Sequence, residues 1–297
     1  MSAHPQQRAG IITGLVAYVL WGLLTVYWKQ LHAFRALELI GWRVSSAALV
    51  MAAIVTVRRQ WPRIVAVWRD HTLLARVAMA AVLLTVNWTS YVWAVVQGRV
   101  LETALGYFIA PIGTVAIGVL VLKEKLHPAQ VASLVLAVAS VVVLTVSYGD
   151  APWLALVIAL SWMAYGYIKK QVPLSPVESM AGESLLLLPF AVILATSMQG
   201  DAASVTNAAS NWEFALVLLS GIATVTPLLL FAHSAQRVPL TVIGPMQYIV
   251  PSMNFLIGWL MYDESLPVWR VIGFALVWLG LVLLTLDTLG RARRRRA

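Results

Sequence analysis

The chain has no cysteine among its 297 residues. That excludes disulfides, thiolate metal sites and a cysteine nucleophile. Charge is almost as scarce, at 11%, where a soluble domain carries about a quarter. Acids are the rarer sign, 12 against 21 lysines and arginines, for a net charge of +9. Long polar segments are missing too. The two longest interruptions, 58–72 and 199–212, are too short to fold alone, so no separate soluble domain is expected. No GxxxxGK[ST] loop is present, which argues against an ATP-driven pump. Nor is there an HExxH, a GxSxG or a metal-holding acidic cluster. A membrane-embedded enzyme or a channel-like protein therefore remains only as an alternative reading. No cofactor or metal is implied.

What fills the chain is apolar surface, 61% of residues. A water-soluble sphere could not cover that much; a bilayer accepts it. A spanning helix needs about 20 mostly apolar residues. That ruler places spans at 10–31, 37–57, 72–97, 100–122, 128–147, 152–169, 176–197, 212–236, 239–262 and 267–286. The first is too long for a signal peptide and lacks a cleavage site. Asp150 suits the cap of the sixth span with Pro152 just inside it, and Pro128, Pro239 and Pro267 are placed to open others. With an even number of spans the termini share one side, and that side collects sixteen cations against four on the other. Both termini are therefore expected in the cytoplasm. The basic tail, Arg291 and Arg293 to Arg296, reads as an anchor on anionic lipid rather than a nucleic-acid site.

A shift of 140 residues superimposes chemically distinctive positions: Glu38 on Glu178, Pro111 on Pro251, Glu124 on Glu264. Trp21 falls on Trp162, and Lys29-Gln30 on Lys170-Gln171, at 141. The longest parallel sets YFIAPIGTVAIGVLVLKEKL against MQYIVPSMNFLIGWLMYDESL, with proline preceding glutamate by one interval in both. Chance could match leucines and valines; matched prolines and charges argue for duplication. Five spans per half force the second copy upside down. The expected fold is an all-α integral membrane protein of ten transmembrane helices, two inverted five-helix repeats at 1–148 and 149–297.

The proline-then-glutamate hairpin resembles the EamA domain of the drug/metabolite transporter superfamily. More narrowly, NWTSYVWAV from Asn87, ETALGYFIAPIG from Glu102, PWLALVIALSWMAYGYIKK from Pro152, ESLLLLP from Glu183, and TPLLLFAHSAQR with IGPMQYIVP from Thr226 onward resemble the RarD-type permeases. The likeness covers roughly Gly10 to Asp287. It departs at Gln30 and in the Arg-rich second cytoplasmic region. It implies two EamA repeats in a bacterial inner membrane, cytoplasmic termini and transport of a small organic metabolite or drug. RarD-type proteins are associated by name with chloramphenicol sensitivity.

Polar groups within spans are functional candidates by default. Arg43 lies inside the second span, and the 140-residue shift sets Glu183 opposite it in the seventh. Two readings stand. The pair forms opposite walls of a substrate site, holding the carboxylate and ammonium of an amino-acid-like or zwitterionic ligand. Or each has a local partner, Glu38 with Arg43 for example, that merely locks helix packing. Asn87, Trp88 and Tyr91 recur at helical spacing along the third span; Tyr107 stands ahead of Pro111, and Gln247 and Tyr248 ahead of Pro251. All six are substrate-site candidates, with core packing as the alternative, while Trp61, Trp153 and Trp269 read as interfacial belts. Pro111 and Pro251 are hinge candidates, since proline frees a carbonyl and bends a membrane helix. Glu124 and Glu264, at helix ends, suit structural capping. Glu102 and His233 are the proton-coupling candidates. The expected function is a permease working by alternating access, monomeric or homodimeric, with only its substrate and membrane lipids as partners. Arg43→Ala and Glu183→Gln are expected to abolish flux with the fold intact.

Overall fold

The computed structural model describes residues 5–96, 100–148, 153–197, 199–262 and 268–294. Among them every regular element is a helix: α1 (Pro5–Lys29), α2 (Ala36–Val57), α3 (Trp61–Arg69), α4 (His71–Val96), α5 (Val100–Leu120), α6 (Pro128–Tyr148), α7 (Trp153–Gln171), α8 (Pro176–Thr196), α9 (Val205–Ala208), α10 (Asn211–Ala235), α11 (Leu240–Met246), α12 (Ile249–Tyr262) and α13 (Val268–Arg294). Five segments are long and apolar enough to cross a membrane: Gln6–Lys29, Leu37–Val57, His71–Tyr91, Pro176–Thr196 and Asn211–Ala235. Gly106–Leu120, Pro128–Val143 and Val271–Leu283 are shorter apolar runs. Helices suit this setting because they satisfy their own backbone polar groups where water is absent.

Helix ends follow local chemistry. Ser175 and Glu178 form a capping box on α8, and Ser210 and Glu213 do so on α10. Pro176 sits in the first turn of α8, and Pro128 begins α6. Pro239 is the N-cap residue of α11, one place earlier than in those helices. Asp150, Pro152 and Pro267 lie outside the described residues. Helix α2 ends with Arg59 at φ 54°, and Gln60 N–H reaches back to Val55 O at 2.9 Å.

The two polar interruptions are not structureless. The first carries α3, which buries Ile64 and Val67 and leaves Trp61, Val65 and Trp68 exposed. The second carries α9, tied to α2 by Val205 N–H donating to Glu38 Oε1 at 2.8 Å. The expected single ninth span is also broken, between α11 and α12. Pro251 cannot donate to Gln247 O, which instead takes Val250 N–H at 3.3 Å, a tighter turn. Pro245 likewise frees Thr241 O, and the Gln130 side chain donates to it at 3.2 Å.

Packing pairs helices in matching sets. Helix α1 packs on α10 as α7 packs on α4; α2 on α10 as α8 on α4; α1 on α11 and α12 as α7 on α5. Helices α2 and α8, α6 and α13, and α5 and α11 pack on one another. The α6–α13 seam is antiparallel. Ser140 Oγ donates to Gly273 O at 2.9 Å, while a Cβ at Gly280 would stand 2.8 Å from Ser133 Oγ. A shift of 140 turns the pair 133 and 280 into 273 and 140. Trp21 and Trp162 meet edge to face at 5.3 Å, at the heart of a core that includes Tyr18, Tyr165 and Phe231.

Candidate substrate site

A cluster of buried polar groups is built on α7 and α8, with Arg43 of α2 in the counterpart position. In α8, Glu183 is fully buried. The Lys169 ammonium of α7 donates to its Oε1, joined by Ser179 Oγ at 2.8 Å, and Tyr165 OH donates to Oε2 at 3.2 Å. Lys169 also donates to Ser179 Oγ at 2.9 Å. The carboxylate is thus neutralised within α7 and α8, and the ammonium-holding role expected of Glu183 has no free charge behind it. Lys169 itself leaves the set of cations assigned to the cytoplasmic flanks, since it is 2% exposed. Sequence reasoning missed this pair. Its signal was the 141-residue shift, which places Trp28 on Lys169 as the 140-residue shift places Arg43 on Glu183.

Arg43, the counterpart in α2, has different company. Its guanidinium stacks on Trp88 at 4.1 Å and on Trp28 at 5.1 Å, and Nε–H donates to Thr224 Oγ1 in α10 at 2.8 Å. Tyr27, Tyr91 and Tyr107 lie within electrostatic reach, and the last two rings meet at 5.9 Å. Glu38 does not pair with Arg43. It turns away to cap α9, which removes the local ion pair as an explanation. An arginine at the centre of a spanning helix costs about 3 kcal/mol on insertion scales. A desolvated cation–π contact returns up to about 2 kcal/mol and a hydrogen bond from a charged group about 1.5–3. Aromatic faces and one hydroxyl therefore suffice to hold the cation without an acid.

Other candidates divide. Trp88 stacks on Arg43 and, with Glu183, Val44, Ala47, Met180, Ser184 and Leu187, lines a narrow cleft. Asn87, one residue away, spends both amide hydrogens on α7, bonding Ile158 O at 2.9 Å and Ser161 Oγ at 3.2 Å. It fastens helices. Gln247 bonds Thr114 Oγ1 at 2.9 Å, and Tyr248 bonds Phe108 O at 3.3 Å. Both belong to the seam between α5 and the α11–α12 break, where a second cleft is lined by Pro111, Gln130, Thr241 and Tyr248. Pro251 is buried in α12, just past that break. His233 Nδ1 shares a hydrogen bond with Thr13 Oγ1 at 3.1 Å. Glu124 accepts from Leu240 N–H at 3.0 Å and Thr241 N–H at 2.9 Å, with Lys170 Nζ at 3.4 Å. It caps α11. The Glu102 side chain and Glu264 lie outside the described residues.

The EamA-like transporter family matches this chain twice, over residues 8–146 and 151–286. The chain belongs to that family. Membership places it in the drug/metabolite transporter superfamily, as a multi-pass membrane protein of permease type. EamA-family relatives extend over its whole length. Protein RarD of Streptomyces exfoliatus is 41% identical over 301 residues, covering 100% of this chain and 94% of that protein. Uncharacterized transporter YojE of Bacillus subtilis (strain 168) is 33% identical, with 95% of each chain covered. A crystal structure with 19% identity superimposes at a TM-score of 0.70, covering 93% of this chain and 97% of that one. It shares the fold. These names point to a transporter rather than an enzyme.

Proposed function

We propose that the chain is a secondary transporter. It carries a small organic molecule across the bacterial inner membrane by alternating access between two inverted five-helix halves, 1–148 and 149–297. The spans are α1, α2, α4, α5 and α6, then α7, α8, α10, the α11–α12 pair and α13, with both termini in the cytoplasm. The double family match and the paired helix contacts support the duplication. The antiparallel α6–α13 seam supports its inversion. One observation carries the site: Arg43 of the first half bonds Thr224 of the second and stacks on Trp88 beside Glu183. A polar centre shared between halves is where a rocking carrier holds its cargo. The adjoining cleft has room for little more than a water molecule, so it must widen to admit a substrate.

The test is a thermal-shift screen of purified protein against amino acids, small metabolites and amphenicol drugs, followed by proteoliposome uptake across an imposed pH gradient. Saturable uptake that rises with the gradient supports a coupled carrier. Unsaturable flux at channel-like rates removes the alternating-access reading.

A further inference from the structure

The duplication makes Arg43 and Glu183 a natural experiment. They hold equivalent places in α2 and α8, and their partners on the preceding spans, Trp28 and Lys169, hold equivalent places too. In the second copy the charge is cancelled inside the protein. In the first copy an aromatic ring stands where the ion-pair partner would be, and the cation is left over.

Its bonding is incomplete as well. A guanidinium has five N–H donors and no acceptor. Nε–H goes to Thr224, and among the described residues no acceptor takes the terminal nitrogens. Among the described residues no carboxylate pairs with Arg43: Glu38 Oε1 accepts from Val205 N–H, and Glu183 is held by Lys169, Ser179 and Tyr165. Arg43 is half-buried rather than sealed, so its outer edge is reachable. Beside it stand the ring faces of Trp28 and Trp88, with Tyr91 and Tyr107 within electrostatic reach.

We infer that the cargo is a small organic monoanion, a carboxylate with an apolar body. Its acid group seats on the terminal nitrogens of Arg43 and its body lies among the aromatic rings. The planar fork of the guanidinium matches a carboxylate through two parallel N–H···O bonds, a fit that neither an amide nor an amine reproduces. With Glu183 neutralised, the described side chains around Arg43 carry one positive charge and no free carboxylate to pair with an ammonium. The inference rests on the carrier reading and narrows it: the zwitterionic cargo suggested by an opposed Arg43 and Glu183 gives way to a plain anion.

Benzoate is the probe, with benzamide as its neutral isostere and benzylamine as its cationic one. Binding to the detergent-purified full chain is followed by quenching of tryptophan fluorescence and by melting temperature, at neutral pH, where benzoate is ionised and benzylamine is protonated. Benzoate should bind at least about tenfold more tightly than either isostere. Arg43→Gln should weaken benzoate by about 10- to 100-fold, the loss of a charge-assisted pair, and erase its advantage over benzamide. Arg43→Lys, which keeps the charge should the glutamine variant misfold, should keep that preference. Equal binding of benzoate and benzamide, undiminished benzoate binding by Arg43→Gln, or no benzoate response at all overturns the inference. Radiolabelled benzoate counterflow in proteoliposomes separates it from the carrier reading. Arg43-dependent binding without counterflow keeps the anion site and removes the carrier; saturable flux of a neutral compound with no preference for acids does the reverse.

Discussion

A charge buried in a membrane protein has to be paired, shared with polar neighbours or kept for a ligand. Glu183 and Lys169 take the first course. Removing one member of such a pair strands the other, at about 3–5 kcal/mol, whereas replacing both with apolar groups is often close to neutral. Glu183→Gln and Lys169→Met are therefore expected to lower the melting temperature steeply, and Lys169→Met with Glu183→Leu to restore most of it. Single variants that melt like the parent would show that the pair does not hold α7 to α8. This revises the expectation that Glu183→Gln spares the fold. Arg43 rests on rings and a hydroxyl contributed by other helices, so no pairwise reading of nearby sequence could have assembled its surroundings.

Between elements, backbone approach and capping set the geometry. In the α6–α13 seam a Cβ at Gly280 would press on the Ser133 hydroxyl at 2.8 Å and on the Ser133 backbone at 3.3–3.4 Å. Gly280→Leu should destabilise by about 1–3 kcal/mol, the usual cost of overpacking, measured by thermal melting in detergent. A neutral result would mean the seam is slack. Glu124 ties the α5–α6 loop to the start of α11. Burial pushes its carboxyl up, but the Thr241 and Leu240 N–H groups, the Thr241 hydroxyl and the Lys170 ammonium together hold it below the ordinary value of 4.5. A depressed folded-state pKa adds stability that is present above the ordinary value and lost as pH falls through the folded one. Glu124→Gln should therefore melt below wild type at neutral pH, and the gap should close on acidification. A gap that stays constant down to acid pH would take Glu124 out of the latch.

For the molecule as a whole, the absence of cysteine makes orientation directly measurable. Ala202, between α8 and α9, and Arg58, after α2, are both exposed. In intact cells a membrane-impermeant maleimide should label Ala202→Cys, and should reach Arg58→Cys only after permeabilisation. The opposite pattern would reverse the proposed topology. Labelling of both in intact cells would end the two-sided arrangement altogether. The paired packing of α1 on α10 and α7 on α4, with its companions, makes the two copies interlock rather than sit side by side. A shared centre is the outcome.

Helical class, membrane setting and family were legible in the residues, because hydropathy over about 20 positions and matched prolines and glutamates are local, additive signals. Arg43 could be singled out for the same reason: a charge in an apolar run is conspicuous on its own. Its company could not be read that way. That Trp28 and Thr224 hold it, that Lys169 rather than a substrate answers Glu183, and that Asn87 spends its donors on α7 depend on which helix faces meet. Helix faces are chosen by packing across distances of 14 to 181 residues, and at such separations only the folded arrangement decides which groups share a hydrogen bond.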